Sequence, residues 1–137
     1  MTAASNYLEN KVLDHVLKNT AFTQPSNLFL ALFNNTSTNT AANLEAGTLT
    51  DETSTSGTAY GRKAIAFSAA SSGSASSSAT VTFDAATASW GTITHVAVMD
   101  AQTSGNVLFW GAVTTPKDIQ TGDTFQVTSG NLTISLA

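Results

Sequence analysis

Ile93-Thr94-His95-Val96-Ala97-Val98-Met99 and Val107-Leu108-Phe109-Trp110-Gly111-Ala112-Val113 are two runs of strand length, joined by a polar stretch that ends in Gly105-Asn106. Both are largely apolar at successive positions, which leaves little room for a wet face, so each reads as a central strand covered on both sides. The short link with its Gly-Asn turn predicts an antiparallel hairpin. That hairpin puts a β-sheet at the centre of the fold, and the rest of the chain is read around it.

Leu28-Phe29-Leu30-Ala31-Leu32-Phe33 is a further continuous apolar run, set off from what precedes it by Pro25, which ends a helix. It predicts another strand buried on two faces, one of them under the N-terminal helix. From Tyr60 onward the period becomes two. Ile65 and Phe67, Val81 and Phe83, Phe125 and Val127, and Leu132, Ile134 and Leu136 each alternate with small or polar residues. Such strands have one buried face and one wet one. Ser129-Gly130-Asn131 predicts a hairpin between the last two. Short strands at close intervals predict a mainly β fold, an antiparallel β-sandwich or jelly-roll-like barrel with one N-terminal α-helix packed against it.

The helix is expected over residues 6–19. Asn6 can cap it with Glu9 three residues on, and Leu8, Val12, Leu13, Val16 and Leu17 recur at helical spacing. This apolar stripe is expected to dock on the sheet, with Glu9, Asn10, Asp14 and Lys18 facing away. Asp14 and Lys18 are spaced as a favourable i,i+4 pair, and Asn19 suits a left-handed helix end. Residues 34–59 read as a long polar loop with a helical turn near residues 41–46. The Ser-, Ala- and Gly-rich residues 68–78 read as a tight loop or an arm held by neighbours.

A chain of 137 residues is expected to form a single domain, residues 1–137, with a β-rich body from about residue 26. Charged residues are only 10% of it and the net charge is −4. Sparse charge lowers the desolvation cost of bringing surfaces together and suits association. Nucleic acid is not an expected partner, because Lys11, Lys18, Arg62, Lys63 and Lys117 form no basic patch. Nor is a membrane: no apolar run approaches the ~18 residues of a span, and the first residues show no signal-peptide pattern.

No catalytic, cofactor-binding or metal-binding residues are expected. The chain has no cysteine, and His15 and His95 are far apart in sequence. Glu45, Asp51 and Glu52 lack the spacing of a Ca²⁺ loop. No serine sits in a G-x-S-x-G elbow, and there is no Gly-rich phosphate loop. The expectation is therefore a non-enzyme without cofactors. Trp90 and Trp110, each followed by glycine, read either as core residues or as anchors of a subunit interface.

Several stretches carry a resemblance. Residues 5–15, from Ser5-Asn6-Tyr7-Leu8-Glu9 to Asp14-His15, are followed by Tyr60-Gly61-Arg62, Trp90-Gly91-Thr92-Ile93-Thr94-His95-Val96, Asn106-Val107-Leu108-Phe109 and Gly122-Asp123-Thr124-Phe125. Together they resemble small virion structural proteins of tailed bacteriophages, a family labelled as tail-fibre or decoration proteins. The resemblance implies a virion part made in the host cytoplasm. It also implies a homo-oligomer, with a trimer as one form, that meets major capsid or tail proteins. Its first placement is a capsid decoration, or cement, protein over major-capsid subunits. The alternatives are a tail fibre, spike or adaptor component, or a carbohydrate-binding module for host attachment, with Trp90 or Tyr60 stacking on sugar. Tyr60, Arg62, Lys63 and Trp90 are the expected interface residues, with loops 34–59 and 68–78 making contacts.

Overall fold

The computed structural model describes residues 3–136. Met1 and Thr2, which belong to the N-terminal signal reading, lie outside the described residues.

The expected central hairpin is present. Strand β6 (Gly91–Met99) pairs antiparallel with β7 (Val107–Ile119), with Ala97 opposite Trp110 and Val98 opposite Phe109. Three more strands complete the sheet: β1 (Ala3–Ala4), β2 (Leu28–Phe33) and β3 (Lys63–Ile65). The order is β1-β7-β6-β2-β3, antiparallel at every junction. Strand β7 runs past the Val113 expected as its end. Ile93 pairs with Lys117 while His95 pairs with Ala112, so residues 113–116 bulge opposite Thr94. Pro116, which has no N–H to give a ladder, sits in that bulge.

The hairpin turn explains one glycine. Gly105 has φ +76°, and a Cβ there would lie 2.7 Å from the Ala101 Cβ. Asp100 closes the loop, accepting from the Asn106 amide at 2.7 Å and from its side-chain Nδ2 at 2.8 Å.

Alternation across the sheet makes two cores. On one face Leu30, Leu32, Ile65, Ile93, Val96 and Val98 meet Val81, Phe83 and Phe125. This side is roofed by two small antiparallel ladders: β4 (Ser74–Ser76) with β9 (Thr133–Ser135), and β5 (Val81–Thr82) with β8 (Gln126–Val127). On the other face Ala31, Phe33, Ala97, Met99 and Val107 pack with Leu44 of α2 (Thr40–Glu45), the helical turn expected near residues 41–46. Strand β2 is thus buried on both faces, but α2 and the loop around it supply the second cover, not the N-terminal helix.

One more local expectation is corrected. The turn at Ser129-Gly130-Asn131 forms, with the Asn131 amide on the Thr128 carbonyl, yet β8 and β9 part company and pair with β5 and β4. The Gly130 amide goes instead to the Ser77 carbonyl at 2.8 Å, which ties the turn to the Ser-rich arm. Residues 68–78 fold as a tight hairpin held by β9, with Ser72 and Gly73 at positive φ.

Helix α1 spans Asn6–Leu17, and its cap is Ser5 rather than Asn6. The Ser5 hydroxyl accepts from the Leu8 amide at 3.3 Å and donates to the Val107 carbonyl. Ser5 is fully buried because its own amide extends β1 onto the Leu108 carbonyl, so the helix starts directly off the sheet edge. Asn19 takes the left-handed conformation expected of it, φ 53°. The only ion pairs among the described residues are Arg62–Glu52 and Lys63–Asp84, so Asp14 and Lys18 do not close theirs.

Candidate functional site

The expected interface residues gather around one buried network. Arg62 lies against Glu52 in a two-pronged contact, Nε to Oε1 and Nη2 to Oε2, each 2.7 Å. Its Nη1 donates to the Ala101 and Ser104 carbonyls at 2.8 Å. The planar guanidinium fork fits this geometry, and it clamps the β6–β7 turn onto the segment ahead of β3. Tyr60 donates to Glu52 Oε1 at 2.9 Å and accepts from the Leu32 amide at 3.0 Å. Burial first, and then the Glu52 carboxylate, push its phenol far above the usual range, so it stays a neutral donor.

Trp90 completes the cluster. Its ring meets Tyr60 edge-on at 5.5 Å and Phe83 at 6.3 Å, and its Nε1 donates to the Thr58 carbonyl at 2.8 Å. Edge-to-face packing of this kind suits the interior. Tyr60, Arg62 and Trp90 are 5%, 4% and 2% exposed. All three are therefore core residues of their own chain, a correction to the expected interface set. Neither Tyr60 nor Trp90 presents a ring face on which a sugar could stack. Lys63 is half-buried and pairs with exposed Asp84 at 3.0 Å. Trp110 is also spoken for, donating to Glu45 Oε2 at 2.8 Å.

A second polar cluster lies on the α2 side. Buried Asp51 accepts from the Ser37 amide at 2.9 Å, the Ser37 hydroxyl at 2.6 Å and the Thr40 hydroxyl at 2.5 Å. Burial alone raises a carboxyl pKa; here those hydrogen bonds, with a smaller contribution from His95, outweigh it and hold Asp51 below 3.8. His95 contacts the Thr94 hydroxyl at 2.8 Å, and its burial lowers its pKa from 6.5 against the pull of Asp51. Among the described residues, every fully buried side-chain N or O atom has a partner. Asp51 is thus spent on closing loop 34–59 on itself, and Glu52 on holding that loop to Tyr60 and Arg62.

The exposed large apolar side chains gather on one element, α1, and at Leu136. Only Leu8 of α1 is buried; Val16 and Leu17 are 70% and 74% exposed, and Val12 and Leu13 are also exposed. The stripe expected to dock on the sheet instead faces solvent, because β1 tethers the helix at the sheet edge. Between α1 and the β4–β9 ladder runs a groove of about 720 Å³, lined by Val12, Leu13, Phe22, Phe67, Phe109 and Leu136 among others. Glu9 is the only charged residue in its lining, so it faces the groove and not away. Periodicity exposes the stripe in the sequence, but nothing there says what covers it. A second groove, about 880 Å³, lies beside the β7 bulge and is lined by Thr114, Thr115, Lys117, Gln126 and Asn131 among others.

No curated protein matches the chain. A family model described as Podophage GP4 fiber I protein gp80 matches residues 3–135, which takes in every strand and both helices. With the β-rich body, the resemblance in residues 5–15 and the later stretches all inside that match, the chain belongs to this family of bacteriophage fibre proteins.

Proposed function

We propose that the chain is a structural module of a podophage tail fibre, held in the virion by contacts with other copies and with other tail proteins. The observation that carries this is the fibre family match over residues 3–135. The surface supports it: charge is sparse, and the exposed apolar side chains concentrate on α1 and Leu136. The role is structural and not catalytic. Arg62, Glu52, Tyr60 and Asp51, the residues best equipped for chemistry, spend their bonding capacity on fixing loops in place.

A capsid decoration role, the first placement considered, is supported by the same sparse charge but not by the fibre family. The two placements separate by position and number. An epitope-tagged copy located by electron microscopy on purified particles is expected at the tail, at a copy number set by the tail's symmetry. Labelling spread over the head, in proportion to the capsid lattice, would return the reading to decoration.

A further inference from the structure

We draw no further inference here: the strongest candidate, the exposed apolar face of α1 with the groove between that helix and the β4–β9 ladder, would accept any apolar partner, and nothing in the structure shows what covers it.

Discussion

Arg62 shows what a single residue hides in a sequence. A lone arginine beside a lysine reads as a solvated charge, because its partners, Glu52 and the Ala101 and Ser104 carbonyls, are 10, 39 and 42 positions away. Arg62→Met leaves Glu52 and two carbonyls facing an apolar side chain, and it is expected to cost about 3 kcal/mol in urea unfolding. Adding Glu52→Gln to the same chain is expected to recover much of that loss, since the penalty belongs mainly to the stranded carboxylate. Equal loss in the single and double variants would mean that the two carbonyl contacts dominate. Asp51 gives a pH signature. Its pKa is held below 3.8 in the folded chain, so its stabilisation is complete above the unfolded value and is lost as pH falls through the folded one. The stability gap between wild type and Asp51→Asn is therefore expected to be constant near pH 6 and to close below about pH 4. A gap that stays constant to pH 2 would show that the Ser37 and Thr40 bonds do not depend on ionisation.

At the scale of elements, legibility followed the length of the pattern. The nine residues of β6 and the six of β2 carry enough apolar side chains to announce burial on two faces, and both stand where the pattern puts them. The helix was also legible, and its cap was displaced by one residue because Ser5 serves two masters. It caps α1 and continues the β1 pairing, and the second role depends on Leu108, a hundred residues away. Ser5→Ala is expected to cost about 1 kcal/mol from the cap alone and more from the freed Val107 carbonyl, with faster amide exchange in the first turn of α1. Unchanged exchange there would place the start of the helix under the control of β1 alone. The pairings of β5 with β8 and of β4 with β9 were not legible. These strands are two or three residues long, too short for a pattern to select a partner, and contacts such as Gly130 with Ser77 decide instead.

For the whole molecule, composition bounds the character of the surface without locating a site on it. With charged residues at 10%, an associating surface is a fair expectation, but of the residues chosen to carry it Tyr60, Arg62 and Trp90 lie in the chain's own core, and Lys63 alone is partly open. Rare residues draw the eye, and rarity does not distinguish an anchor from a core. The same composition predicts how stability responds to salt. The Arg62–Glu52 pair has side chains 3% and 18% exposed, so mobile ions screen it poorly. The Lys63–Asp84 pair is more open, at 33% and 68%, and an exposed pair of this kind contributes at most about 1 kcal/mol. What else holds the sheet to its two covers is mainly apolar burial, which sodium chloride does not weaken, with single hydrogen bonds such as Trp110 to Glu45 and the Leu32 amide to Tyr60. The urea midpoint is therefore expected to move little between 50 mM and 1 M sodium chloride. A fall of more than about 1 kcal/mol in high salt would assign the stability to surface charges and remove the apolar sandwich as its main source.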